Sequence, residues 1–304
     1  TESTMDGWFK KTVELLKPLY EELKWEVFSC DYVQADETTV PVINREKHKA
    51  DKEYLWMVRS VMEKLVIFHY DGGSRAGAVI ESLANHYHFK GYLQCDGFAG
   101  YETAFKTNPD VRLLNCLVHI RRHFEQALDE NREMAQHALT QIQHIYKIER
   151  QCDEAGLSYD ERRQTRQELS RPIMEAMKVW METEGIKYSP GSLTGKAITY
   201  AYTKWDNIMR CLDDGRLYWD NNLAENVQRP ITLSRKNFLF CGNHEAAANM
   251  SVICSLLATC KAHDVNPRNY LNDVIAQMPY HKNATHEILL DLLPHKWKLK
   301  HTAH

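Results

Sequence analysis

Residues 32–43 read YVQADETTVPVI. Apolar and β-branched residues dominate the stretch, yet two acids, Asp36 and Glu37, sit in its middle. Two more runs of the same kind follow, EYLWMVRSV at 53–61 and KLVIFHYD at 64–71. Three such runs with short polar connections predict an antiparallel meander. The lysine-rich NREKHKADKE at 44–53 predicts an exposed hairpin turn between the first two. Before the meander, Phe9, Val13, Leu16, Tyr20 and Leu23 recur at helical spacing, with Pro18 expected to kink or split that helix. After it, GGSRAGAVIESLANHYH at 72–88 reads as a turn and a helix. GYLQCDGFAGY at 91–101 is a short buried strand ending at Asp96 beside Gly97, and VRLLNCLVH at 111–119 is another strand. Strand, strand, strand, helix, strand, helix, strand is the order of a mixed α/β layer.

Residues 120–215 contain no strand pattern. Three apolar helix faces occur there: Leu139, Ile142 and Tyr146; then Ile173, Met177, Trp180 and Met181, with Pro172 in the first turn; then Ile198, Ala201, Tyr202, Trp205, Ile208, Met209 and Leu212. DNNLAENVQRP at 220–230 predicts a short helix capped by Asp220 or Asn221 and stopped near Pro230. A long helix is expected around Met250, Ile253 and Leu257. Another opens at Asn266-Pro267 and carries Leu271, Val274, Ile275 and Met278. The tail HKWKLKHTAH reads as basic and loose.

With 304 residues the chain can hold one large domain or two small ones, and 43% hydrophobic with 26% charged residues is ordinary for a soluble globular protein. No apolar run approaches the roughly 18–20 residues of a membrane span, and no secretory signal pattern opens the chain. The first residue is Thr1, which leads us to expect a fragment of a longer protein. Eight cysteines form no C-x-x-C pair; Cys30, Cys95, Cys116 and Cys254, in apolar surroundings, read as free thiols in a reducing cytosol. A formal charge of −3 is not that of a typical nucleic-acid binder, so a DNA reading must rest on local patches.

Asp36 is expected to end one apolar strand and Asp96 another, and Glu225 sits on a helix about 130 residues further on. Buried carboxylates are costly unless paired or bound to a cation, and three that converge would make an oxygen-rich site for Mg²⁺ or Mn²⁺. Two such ions can activate a water or hydroxyl and stabilise the leaving oxygen of a phosphodiester. Spacing alone favours the plainer reading of three separate solvated acids. Glu37 competes with Asp36, because strand neighbours point to opposite faces and only one can serve. PGSLTGKAIT at 190–199 is not a phosphate-binding loop: its glycines are one residue too close and Ala197 replaces the Ser or Thr that would touch magnesium. It reads as a helix start.

ADETTVPV, GYLQCDGFAGY, CLVHIRRHF, DNNLAENVQRP, LSRKNFLFCGNHEAAANMSVICSLLATCKAHDVNP and LLPHKW, in that order, span nearly the whole chain. Together they resemble the catalytic region of the bacterial transposases of the insertion sequence 66 family. The resemblance implies a ribonuclease H-like fold with flanking helices and an acid triad falling on Asp36, Asp96 and Glu225 as catalytic and metal-binding residues. It implies two Mg²⁺ (or Mn²⁺) as cofactors and a helical insertion domain between the second and third acids. The implied division is a helical junction at 1–30, a first core segment at 31–119, the insertion at 120–215, a second core segment at 216–262 and a C-terminal helix with basic tail at 263–304.

Full-length family members carry a further N-terminal region with DNA-binding or oligomerising helices and often a zinc-binding segment; residues 1–25 resemble only its junction. Asn226 stands where many relatives carry a charge. In related transposases a C-x-x-H string precedes the insertion near the catalytic centre, so His119 reads as supporting that centre or positioning substrate. The equally open alternative is a buried Cys116 and a helix-start histidine. A zinc site at Cys116 and His119 lacks a second pair at finger spacing.

Arg121, Arg122, Arg229, Arg235 and Lys236 are the candidate phosphate contacts, which local positive charge can make whatever the net charge. Arg229 could instead pair with Glu225 one turn away, and SRKN at 234–237 could be a solvated turn. The implied activity is hydrolysis at element ends followed by strand transfer to target DNA, in the cytoplasm, nucleoid-associated when active, by a homo-oligomer on DNA with accessory transposition proteins and no membrane. Alternatives from other classes are a ribonuclease H-like nuclease without strand transfer and an inactive DNA-binding remnant.

Overall fold

The meander forms as its pattern requires. In the computed structural model, which describes residues 2–281 and 283–301, β1 (Tyr32–Asn44) pairs antiparallel with β2 (Lys49–Ser60) without a break from Val33–Ser60 to Asn44–Lys49. β2 pairs antiparallel with β3 (Val66–His69). The charged run expected to be a turn contributes only residues 45–48 to it; Lys49–Glu53 belong to β2 and extend the hairpin arms. β4 (Gly91–Cys95) and β5 (Val111–Asn115) complete a mixed sheet ordered β3-β2-β1-β4-β5. Gly91 has φ of 147°, and a Cβ there would stand 2.1 Å from the Asp31 carbonyl, so only glycine allows the start of β4 to run this close to the start of β1.

The helices are α1 (Glu2–Ser29), α2 (Ala78–His86), α3 (Ala99–Phe105), α4 (Leu117–Ala127), α5 (Arg132–Glu154), α6 (Tyr159–Thr165), α7 (Arg171–Gly185), α8 (Leu193–Met209), α9 (Asn222–Phe238), α10 (His244–Ala262), α11 (Pro267–Gln277), α12 (His286–Leu292) and α13 (Pro294–His301). Among the described residues none is long and apolar enough to cross a membrane. All eight cysteines are free; Cys95 and Cys116 are buried, Cys30 and Cys254 half-buried. The chain divides into two compact units: one of residues up to Leu93, Ala99–Val111 and those from Asn222 on, the other of Gln94–Phe98 and Arg112–Asn221.

In the first unit two expectations are corrected, at Pro230 and in the basic tail, and of the two effects expected of Pro18 the split does not occur. Pro18 does not split α1: both Pro18 and Glu14, whose carbonyl loses its partner, are exposed, so water can take the freed group, while Leu16, Leu19 and Leu23 stay buried. Pro230 likewise does not stop α9, which runs on to Phe238; Asn226 and Pro230 are exposed, and buried Ile231 anchors the second half in the core with Val40, Val42, Leu55, Met57, Phe68 and Ala224. The basic tail is helical as far as His301. Trp297 Nε1 donates to Asp273 Oδ2 at 2.6 Å, and Lys298 Nζ donates to the His263 carbonyl at 2.6 Å. Residues 302–304 lie outside the described residues.

α10 also differs from its apolar marks. Met250, Ile253 and Leu257 are only half-buried, and the fully buried face carries Ser251, Val252, Ser255, Leu256, Thr259 and Cys260. The hydroxyls are buried because β3 is an edge strand. Ser255 Oγ accepts from Phe68 N at 2.8 Å, and Thr259 Oγ1 accepts from Val66 N at 3.1 Å and donates to Val66 O at 3.1 Å. Side chains thus occupy backbone groups that would otherwise invite another strand.

In the second unit every element from Leu117 to Leu212 is helical. The buried stripe of α5 is Met134, Ala138, Ile142, Ile145, Ile148 and Cys152, with Leu139 and Tyr146 at its margins. A π-helical turn, Arg166–Ser170, joins α6 to α7 and turns Arg166 inward, 1% exposed. Arg166 Nε and Nη2 donate to the two Glu149 carboxylate oxygens, each at 2.7 Å, and Nη1 donates to the carbonyls of Cys211 (2.8 Å) and Asp214 (3.0 Å). Burial pushes the Glu149 pKa up, but hydrogen bonds and charge from Arg166 and Arg162 outweigh it and hold the carboxyl below its ordinary range. Arg166→Met should cost about 3 kcal/mol, since it leaves the buried Glu149 carboxylate with only Arg162 of its two arginines. Because the folded Glu149 pKa is depressed, its contribution is complete above about pH 4.5 and is lost as pH falls through the folded value. Urea unfolding from pH 7 to pH 3 should show an acid-labile increment in the parent that is reduced in Arg166→Met, where only Arg162 still pairs with Glu149.

Candidate active site

β1 alternates side chains between the two faces of the sheet, and the structure decides which acid lies on which. Val40 and Val42 share the core with Ala224 and Ile231 of α9, so the even-numbered residues of β1, Asp36 among them, face α9 and α10. Gln34, two residues before Asp36, accepts a hydrogen bond on Oε1 from Ala224 N at 3.2 Å. Arg59, paired with Gln34 across the hairpin, reaches the Leu223 carbonyl at 3.5 Å. The first turn of α9, which carries Glu225, is therefore moored to the strand face that carries Asp36.

Glu37 lies on the other face. Its carboxylate accepts from Arg75 Nε and Nη2 at 2.9 and 2.8 Å and from Tyr101 OH at 3.1 Å. Trp56, opposite Glu37 on β2, packs edge-on to Tyr101 at 5.7 Å. The side chain of Glu37 is 2% exposed and committed to this pairing.

Asp96 belongs to the second unit. Its Oδ1 accepts from Phe98 N at 2.9 Å, and its carbonyl accepts from Asn115 Nδ2 at 2.8 Å. Asn115 Oδ1 in turn accepts from Asn207 Nδ2 at 2.9 Å, and Arg210 Nη1 donates to Asn207 Oδ1 at 2.8 Å and to the Leu113 carbonyl at 2.6 Å. This chain of amides fixes the turn after β4. A Cβ at Gly97 would meet the Tyr200 hydroxyl at 2.0 Å, so any larger residue there would displace that ring. His123 lies tilted against the Tyr200 ring, 4.1 Å between centroids, and burial, with His119 nearby, holds the His123 pKa below its usual value. Asn115, Asn207 and Tyr200 gave no signal in the sequence beyond being polar residues in apolar segments; Gln34 could have been singled out by its place two residues before Asp36.

Asp36 and Asp96 have one feature in common. Asp36 Oδ1 accepts from the following amide, Glu37 N, at 2.9 Å, as Asp96 Oδ1 does from Phe98 N. Each carboxylate is oriented by its own backbone.

Cys116 precedes α4, and its Sγ accepts from Asn221 N at 3.3 Å; burial pushes the thiol up to about 11. His119, in the first turn of α4, lies 3.3 Å through Nε2 from Arg122 Nη1. Arg121 pairs with Glu125 at 2.8 Å on the exposed side. Arg229 and Lys236 are exposed on α9, and at helical spacing they fall in line with Glu225. The Arg235 side chain lies outside the described residues. SRKN is part of α9 rather than a turn. The residues of the rejected phosphate loop do form a helix start. Ser192 Oγ accepts from Gly195 N at 2.9 Å, and the Glu130 carboxylate accepts from Leu193 N and Thr194 N at 2.9 and 3.1 Å.

The chain belongs to the IS66 family of transposases. The model of that transposase family matches residues 1–249, and the model of the IS66 C-terminal element matches residues 255–295. Among curated proteins it is similar to three uncharacterized proteins of Sinorhizobium fredii. These are y4hP (28% identity, 93% of this chain and 54% of that protein), y4qI (29%, 91% and 53%) and y4jD (28%, 97% and 59%). The chain thus spans a little over half the length of these relatives.

Gln34→Leu removes the acceptor of the Ala224 amide. It should destabilise the first unit by about 2 kcal/mol, the cost of a buried donor left unmet, as read by denaturant unfolding.

Proposed function

We propose that this chain is the catalytic region of a DNA transposase with a ribonuclease H-like fold, using Asp36, Asp96 and Glu225 as its acid triad. The observation that carries the reading is the mooring of α9 on β1. It sets the start of the Glu225 helix against the face bearing Asp36, while Glu37 is held away by Arg75 and Tyr101. The sheet order, with its first three strands antiparallel, supports the fold assignment. The donor set is entirely carboxylate oxygen, which suits two Mg²⁺ (or Mn²⁺) and would supply charge stabilisation and an activated oxygen nucleophile when loaded.

The protein's own part is positional. The backbone bonds to Asp36 Oδ1 and Asp96 Oδ1 orient the two carboxylates, and the Asn115–Asn207–Arg210 chain braces the Asp96 turn. Arg229 and Lys236, in line with Glu225, grip DNA phosphates; Arg121, Arg122 and Arg235 are further phosphate contacts, and His119 supports the site. The reactions are hydrolysis at the element's end, freeing a 3′-hydroxyl, and attack of that hydroxyl on target DNA. Sequence-specific end recognition resides in the rest of a longer protein, since phosphate contacts give affinity without base information. The active form is a homo-oligomer on DNA, assisted by accessory transposition proteins, in the cytoplasm.

Asp36→Asn and Asp96→Asn should each lower Mn²⁺-dependent nicking and strand transfer by about 100-fold or more, as losing a ligand does at least what losing its support does. Glu37→Gln should retain both reactions. An oligonucleotide assay with pre-cut ends tests this: nicking without joining would make the protein a nuclease, and full activity in Asp36→Asn would remove that residue from the site. Replacing Arg229 and Lys236 together by alanine should reduce the slope of log binding constant against log salt by about 2.

A further inference from the structure

Four large apolar side chains stand in the open on the second half of α9 and just after it. Leu233 is 61% exposed, Phe238 36%, Leu239 62% and Phe240 45%. They are not a loose end, because the chain is fastened on both sides of them. Ile231 is buried in the core before them. After them, Cys241 N donates to the Pro41 carbonyl at 2.8 Å, and the Cys241 carbonyl accepts from Ile43 N at 2.9 Å, which fixes buried Cys241 along β1. Between these anchors the chain turns sharply at Leu239. Phe240 N donates to the Phe238 carbonyl at 2.6 Å, and Leu239 has φ of 59°. That conformation is costly for a branched apolar side chain, and such strain persists where the surrounding structure imposes it, often at ligand contacts. A contiguous exposed patch of large apolar residues marks a binding surface.

The surrounding charge selects the occupant. Residues 226–243 contain Arg229, Arg235 and Lys236 and no acid. Leu233 shares one stripe of α9 with Glu225, Arg229 and Lys236, so apolar and basic side chains alternate along it. The centre of a protein–protein interface is depleted in charge, and a second copy of this chain would bring the same positive stripe against itself. DNA offers the complementary pattern, phosphates flanking apolar base faces. We propose that Phe238, Leu239 and Phe240 form an apolar wedge that enters between stacked base pairs of the DNA gripped by Arg229 and Lys236. The proposal rests on the reading of this chain as a transposase catalytic region and adds a contact to the bases themselves. Wedges of Phe and Leu unstack a step and kink the duplex by roughly 20–90°. Glu225 and Phe238 lie on the same helix, at most about 20 Å apart at 1.5 Å rise per residue. The opened step therefore falls within about six base pairs of the bond facing Glu225, at 3.4 Å per base pair.

The whole chain is titrated into duplexes that carry one 2-aminopurine at successive positions, in buffer without Mg²⁺ or Mn²⁺ so that no strand is cut. Fluorescence should rise at one or two adjacent positions, where the base loses its stacked neighbour. Phe238→Ala with Phe240→Ala should abolish the rise and weaken binding about tenfold, with the salt slope unchanged because no phosphate contact is lost. Leu239→Gly keeps the positive φ without strain, so its Tm should stay near the parent's while the rise falls; a purely structural part for Leu239 would leave the rise intact. Arg229→Ala with Lys236→Ala should lower the salt slope instead. No rise with the parent, or an undiminished rise in both apolar variants, would overturn the wedge. So would a dimer in free solution that Phe238→Ala with Phe240→Ala splits, without any rise on DNA, since the patch would then be a protein interface. A rise at a defined step in a chain that fails to nick under Mn²⁺ would sink the catalytic reading and leave the wedge; nicking with no rise would do the reverse.

Discussion

The two-residue period of β1 governs where everything else in the first unit can go. β1 pairs with β2 over twelve successive positions with no bulge. A single inserted residue or a one-step slip would exchange the two faces from that point on. Asp36 would then face Arg75 and Tyr101, and Glu37 would face α9. The unbroken register also keeps Gln34, Val40 and Val42 on one side, where they hold Ala224 and Ile231 of α9. One helix is therefore positioned by a polar contact at its start and an apolar contact further along.

The first unit solves its edge problem from the same side. β3 has β2 on one edge only, and α10 covers the other with Ser255 and Thr259, while Tyr20 OH of α1 donates to the Phe68 carbonyl at 2.7 Å. Hydroxyls buried in a helix face are ordinarily a cost, but here each replaces a missing strand partner. α9 and α10 thereby both lie against the sheet, where Ala224 and Ile231 of the one and Ala247 of the other share a core with Val40 and Val42.

The second unit relies on a different device. Its helices surround a guanidinium, Arg166, that satisfies a buried carboxylate and two carbonyls at once. Arginine suits this place because its planar fork offers several donors in fixed directions, which lysine cannot. The π-helical turn is what brings Arg166 inward, since the extra residue rotates the following chain relative to α6. Asp96 is held in the same unit by Asn115, Asn207 and Arg210, so its turn depends on helices remote in sequence.

The sequence by itself determined the α/β element order, the three-strand meander, the helical run after residue 120 and the family, because alternation, helical period and ordered motifs are local signals; it carried the strand at 111–119 too far, since β5 ends at Asn115 and α4 opens at Leu117. It narrowed the first candidate acid to Asp36 or Glu37, since the period guarantees that the two diverge. Only the tertiary structure decided which face α9 would cover, because that depends on Ala224 meeting Gln34 across 190 residues. The same distance effect explains why α9 passes through Pro230, why α10 buries serine and threonine, and why residues 294–301 are helical. In each case a partner far along the chain outweighs the local preference, by anchoring Ile231, by supplying the β3 edge, or by offering Asp273 to Trp297.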